Sequence, residues 1–335
     1  MYIVRRLIYM AFLMLGVLAL TFVITRAIPS SPVELMLGAK PTAEQIEQAR
    51  QSLGLDQPLI VQFGVFLGNL FQGDLGVSLR TGQPVLGDVS QRFAATAELV
   101  FVALLLAASV GIPGGVLAAT RRGKLDAILV RTAAVLSVAV PIFFLGIVLQ
   151  MLLHGGLGWF PLQGRLDVNT LIDAPFETRT GFYLIDTLIA GNLTAWQSAL
   201  SHIALPALTL AIATSALLFR VTRSLMLDVL SAEHLRTFEA YGVPKSRIHY
   251  RYALRATLIP LLTIVGLTAG YLLGGSVIVE YVFDWPGIGG YMVEAVIAND
   301  LPAVMGGTLL LAFTYLTINL LIDLLYYAAD PRLRA

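Results

Sequence analysis

Polar residues give way six times along the chain to apolar runs close to the roughly 20 residues an α-helix needs to cross a bilayer. The runs fall at residues 7–24, 97–119, 128–153, 204–225, 258–279 and 304–327. They predict an all-α polytopic membrane protein with about six transmembrane helices. Two of the intervening polar stretches are too long for plain turns. The expected layout is a first span at 1–26, a small extracytoplasmic segment at 27–95, and a core of spans two to six at 96–335. That core contains a polar loop at 227–257 and an extracytoplasmic insert at 154–201. In the 27–95 segment, Thr42 and Gln45 have the spacing of a capping box that opens a short helix toward Leu53, with Gly54 to stop it. Pro58, Gly73, Asp74, Gly76, Gly82 and Pro84 read as turn chemistry. Trp159 and Trp196, near the ends of the insert, read as interfacial anchors.

Composition turns this pattern into a class. The chain is 57% hydrophobic and 13% charged, with a mean hydropathy of +0.80. No soluble domain of 335 residues needs that much apolar surface, so most of it should face lipid. There is no cysteine, which excludes disulfides and thiolate metal sites. Arg5 and Arg6 ahead of the first apolar run would suit a signal peptide as well as a span. The length of the run and the lack of a small-x-small cleavage site favour an uncleaved span. The net charge of +1 says little; its placement says more. Fifteen of the 22 Lys and Arg residues lie at the N-terminus, at 121–131, at 220–255 and at the C-terminus, close to span ends. The other seven are spread thinly through the longer segments. The positive-inside rule then puts both termini and the 227–257 loop in the cytoplasm.

Candidate chemistry is sparse. His154, His202, His234 and His249 show no metal-binding spacing, and a structural or interfacial role suits His154 and His202 at the ends of spans. No GxSxG elbow occurs. The Gly123-Lys124 pair lacks the glycine that must open a phosphate-binding loop, so no catalytic residue is expected and nothing here would hydrolyse a nucleotide. Charges within spans are few: Glu98 at the start of the second, Asp323 late in the sixth. Each reads best as interfacial with an arginine partner, and Arg220 or Arg223 is the expected partner of Asp323. So few intramembrane carboxylates leave an ion-coupled carrier without its usual machinery.

The segment 232–262, AEHLRTFEAYGVPKSRIHYRYALRATLIPLL, carries a resemblance. Arg236-Thr237, Ala240, Gly242, Arg247, Ala253-Leu254-Arg255 and Ile259-Pro260 resemble the cytoplasmic EAA loop of the dipeptide/oligopeptide/nickel permeases of ABC importers. Pro260 is expected to break the helix where the loop re-enters the membrane. Further matches run in order along the chain. They include Leu53-Gly54-Leu55-Asp56, Gly73-Asp74-Leu75-Gly76, Arg92, Thr96, Glu98-Leu99, His202 with Leu205-Pro206, and Arg220 with Thr222-Arg223-Ser224. Glu280, Val282-Phe283, Trp285-Pro286-Gly287-Ile288-Gly289 and Asp330-Pro331-Arg332 complete them. The insert from Thr180-Gly181-Phe182 to Asp186-Thr187 is similar to dipeptide-type members. Arg236 stands where the motif's name implies glutamate, and Phe238, Glu239 and Tyr241 stand where basic residues are usual.

The resemblance implies a type I ABC importer permease fold in a prokaryotic inner membrane. It implies a homologous second permease, two cytoplasmic ATPase subunits and an extracytoplasmic solute-binding protein as partners, with lipid around the chain and no nucleic acid. ATP and Mg would be bound by the ATPases, leaving no cofactor in this chain. Arg236, Thr237, Glu239, Ala240, Gly242, Lys245 and Arg247 would form the coupling loop. Glu280, Phe283, Trp285, Pro286, Gly287 and Gly289 would form an outer gate, a binding-protein dock, or a re-entrant turn that supports the sixth span. Peptide is the expected solute, with nickel and glutathione open. From the residues alone, an ion-coupled secondary transporter and a non-transport membrane scaffold also remain open.

Overall fold

A computed structural model describes residues 2–27, 42–52, 56–121 and 140–329. Among these residues the chain is helical, and its only β feature is an isolated bridge between Val77 and Pro84. The helices are α1 (Tyr2–Ala27), α2 (Ala43–Ser52), α3 (Leu59–Phe71), α4 (Val85–Thr120), α5 (Ile142–Leu149), α6 (Val168–Asp173) and α7 (Tyr183–Ile189). They continue as α8 (Leu193–Leu230), α9 (Glu233–Ala240), α10 (Lys245–Arg247), α11 (Leu254–Val282), α12 (Ile288–Ile297) and α13 (Leu301–Ala329). Wider π-type turns extend α5 to Gly156 and join α10 to α11.

Five of these are long and apolar enough to cross a membrane: α1, α4, α8, the α10–α11 run and α13. The expected span at 128–153 is described only from residue 140, and its described part is α5 with its π-type turns. Helix α4 begins at Val85, ahead of the expected 97, because Val85 and Val89 are buried on one face while Asp88, Ser90 and Arg92 interrupt the apolar run. Asn192 caps α8 by accepting from the Ala195 N–H at 3.0 Å, so helix replaces insert from residue 193. Pro260 does not break its helix; it lies inside α11. Interior prolines are tolerated in membrane helices because neighbouring groups satisfy the backbone they free, and α4 and α8 hold Pro113 and Pro206 in the same way. The capping box forms as expected: Gln45 Oε1 accepts from the Thr42 N–H at 2.9 Å and Thr42 Oγ1 from the Gln45 N–H at 3.3 Å.

The chain divides into two compact units. One comprises residues 1–95 and 286–317. In it, Phe22 of α1 packs against Phe63 and Phe66 of α3. A second cluster joins Val85 and Val89 of α4 to Tyr291 and Ala295 of α12 and Ala303 of α13. Asp300, fully buried ahead of α13, accepts from Ser78 Oγ at 2.6 Å and from the Arg80 and Ala303 N–H groups at 3.2 Å. It thereby pins the 73–84 turn, where Gly73, Gly76 and Gly82 have φ of +80°, +84° and +67°. Burial raises the pKa of the Tyr291 hydroxyl to about 12, and the group donates to Asp88 Oδ2 at 3.3 Å.

The other unit comprises residues 96–285 and 318–335. Here α4 and α8 approach so closely that only glycine fits on α4. A Cβ on Gly111 would lie 2.7 Å from the Ser215 carbonyl oxygen, and one on Gly115 would lie 2.7 Å from the Phe219 oxygen and from Thr222 Cβ. Small residues at such spacing let membrane helices pack backbone to backbone.

Candidate functional site

The segment after α8 is built as a short helix clamped underneath and open on top. Leu235 of α9 is buried with Val116 and Ala119 of α4, Met226 of α8, and Ile248 and Ala253 leading into α11. Phe238 adds a stacked contact with Tyr252, ring centroids 4.7 Å apart. Helix α9 ends in a Schellman motif. The Gly242 N–H bonds the Glu239 carbonyl and the Val243 N–H bonds the Phe238 carbonyl, each at 3.0 Å. That geometry needs a left-handed residue after the cap, which Gly242 supplies at φ +77°. Pro244 then opens α10.

Much of the rest of the segment is exposed. Thr237, Glu239, Ala240, Gly242, Lys245 and Arg247 are all exposed, and Tyr241 is 83% exposed. The Arg236 side chain is outside the described residues. Lys245 and Glu239 pair at 3.3 Å with both side chains more than half exposed, which contributes little to stability. Buried apolar contacts therefore hold this loop in place. Through one small core it packs against α4, α8 and the start of α11, at the ends of three candidate spans.

The expected outer-loop residues are mostly interior. Glu280, Phe283, Trp285, Gly287 and Gly289 are buried and only Pro286 is exposed. Glu280 Oε1 accepts from Thr96 Oγ1 at 2.7 Å and Ser276 Oγ at 3.1 Å. The end of α11 is tied to the insert: the Gly164 N–H bonds the Phe283 carbonyl and Gln150 Nε2 bonds the Val282 carbonyl.

Glu98 has the arginine partner expected of it, and that partner is Arg165 of the insert. Arg165 Nη2 donates to Glu98 Oε2 at 2.5 Å, with side-chain exposures of 7% and 5%. The Leu184 N–H donates to Glu98 Oε1 at 2.7 Å, Arg165 Nη2 also bonds the Gly181 carbonyl, and the guanidinium lies 3.8 Å from the Tyr183 ring centroid. No sequence spacing links residues 98 and 165, so only the fold reveals the pair. Arg220 is exposed on α8 and Arg223 is half-buried. His202 and His154 each bond a backbone carbonyl through Nδ1, of Ser198 and Phe160, in structural roles.

The chain is similar to known proteins along its whole length. The family model described as "Binding-protein-dependent transport system inner membrane component" matches residues 111–335, and the model of that family's N-terminal part matches residues 1–100. The probable D,D-dipeptide transport system permease protein DdpB of Escherichia coli K12 is 45% identical over 318 residues, covering 95% of this chain and 93% of that one. The di/tripeptide permease protein DppB of Pseudomonas aeruginosa is 42% identical, covering 99% and 98%. The glutathione permease protein GsiC of Escherichia coli O6:H1 is 34% identical, covering 99% and 98%. Among solved structures, a chain of the inward-facing MetNI methionine ABC transporter superposes with a TM-score of 0.51. It is 16% identical and covers 72% of this chain and 96% of its own, a likeness of fold alone.

Proposed function

This chain belongs to the family of binding-protein-dependent transport system inner membrane components, and from that premise we propose that it is the permease subunit of an ATP-driven peptide importer, coupled to its ATPases through α9. As a multi-pass inner-membrane protein of this family it is a transport permease with an ABC-importer permease fold. The single observation that carries the coupling reading is the exposed face of α9 and α10 over a core shared with α4, α8 and α11. An amphipathic helix of this kind suits a groove on a partner.

On this reading the loop and both termini face the cytoplasm. A second, homologous permease completes the translocation path, and a solute-binding protein delivers peptide from the other side. ATP and Mg stay with the ATPases. Closure of the nucleotide-binding dimer shifts α9, and the α4, α8 and α11 ends move with it. The solute moves because the inward- and outward-facing states bind it with different affinity. The names of the relatives favour a di- or tripeptide solute, with glutathione as the alternative.

The test is co-purification from mild detergent of the ATPase subunits encoded with this chain, using wild type and an Ala240→Asp/Tyr241→Ala variant. Both residues are exposed, so the fold of the loop is retained. ATPases that accompany wild type and are lost from the variant support the assignment. ATPases retained equally by both would move the docking site elsewhere.

A further inference from the structure

Helix α3 gathers what polarity it has on one side. It has no charged residue, and its only polar side chains are Gln62, half-buried, and Asn69, exposed. Both line a half-open cavity of about 320 Å3, together with Phe22, Asp74, Leu75 and Pro302. Gln62 Nε2 donates to the Gln57 carbonyl at 2.8 Å. At about 100° per residue, Ile60, Gly64, Gly68 and Phe71 fall on one strip away from those two. That strip is open: Ile60 is 79% exposed, Phe71 is 88% exposed, and nothing lies within 4 Å of the positions a Cβ would take on Gly64 or Gly68. Most of what the helix exposes is hydrocarbon.

The neighbouring element indicates what covers it. Phe63 and Phe66 of α3 pack on Phe22, at 5.3 and 5.9 Å between ring centroids. Phe22 belongs to the candidate span Val4–Thr25. Leu20, Val23 and Ile24 of that span are themselves more than half exposed, so α3 packs on a span that carries open apolar surface of the kind lipid covers. Thirteen residues extend only about 20 Å, short of the roughly 30 Å hydrocarbon core, so α3 cannot cross.

We infer that α3 is a non-spanning membrane helix, with its Ile60–Phe71 strip in the acyl region of the leaflet reached by the C-terminal end of α1, and that its partner is phospholipid. A second permease or a binding protein would be the other occupants of such a face. The inference requires only that α1 spans the membrane, so it stands or fails independently of the importer reading.

The absence of cysteine makes the test clean. Ile60→Cys, Phe71→Cys and, as a lipid-facing reference, Val23→Cys are nitroxide-labelled one at a time. The full-length chain is co-expressed with its partner subunits and placed in phosphatidylethanolamine/phosphatidylglycerol nanodiscs. Power saturation then compares oxygen, which enters acyl chains, with a water-soluble nickel chelate. Labels at 60 and 71 should match the reference, with oxygen collisions severalfold above those of the chelate. Preference for the chelate at either position, or exclusion of both reagents by a protein cover, overturns the inference. Val65→Cys, 59% exposed, reads the edge of the same surface if one variant fails to fold.

Discussion

At the scale of single residues, the Glu98–Arg165 pair concentrates the largest electrostatic stake in the described chain. Both groups are buried, and each is further bonded to backbone of the insert. Removing one partner of such a pair leaves a desolvated charge and costs roughly 3–5 kcal/mol, whereas replacing both with apolar groups is often neutral. Glu98→Gln and Arg165→Met should therefore each lower the apparent melting temperature of the detergent-solubilised chain by several degrees. The double variant should recover most of the loss. Additive losses would mean that the two charges act separately. The same scale explains what the sequence could show. Thr42 and Gln45 are three residues apart and their capping box is local, so spacing predicts it. Glu98 and Arg165 meet only because α4 and the insert fold together, and Ser78 meets Asp300 in the same way.

At the scale of elements, glycine placement separates contact from open space. A Cβ added to Gly115 would meet backbone and Cβ atoms of α8 at 2.7 Å, which cannot give way as a flexible side chain would, while one added to Gly274 of α11 would have nothing within 4 Å. Gly115→Ala should overpack the α4–α8 seam at a cost of about 1–3 kcal/mol. Gly274→Ala should be neutral or stabilising by up to about 1 kcal/mol through helix propensity. Thermal melts of the two variants side by side check this, and an unperturbed Gly115→Ala would contradict the close approach. The apolar runs made α1, α8, α11 and α13 legible because burial in lipid leaves an uninterrupted hydrophobic signal. They did not reveal where α4 starts, because its first turns bury one face only and mix Asp88 and Arg92 into the pattern. Pro260 misled for a related reason: in water it would end a helix, but within α11 it is tolerated. The polar loop after α8 stood out in the sequence, while the Leu235–Ile248–Met226 core beneath it required the fold.

At the scale of the whole molecule, the account rests on energy arriving from outside the chain, through a loop whose exposed face is polar and whose underside is locked to the spans. An ion-coupled carrier would need no such loop. The direct measurement is uptake of a labelled dipeptide into vesicles that hold the assembled complex, with its binding protein supplied, under two energy conditions. ATP present with the ion gradients collapsed should sustain uptake in wild type, and Ala240→Asp/Tyr241→Ala should abolish it at equal protein level. Uptake that persists without ATP and stops when an ionophore collapses the gradients would contradict the account.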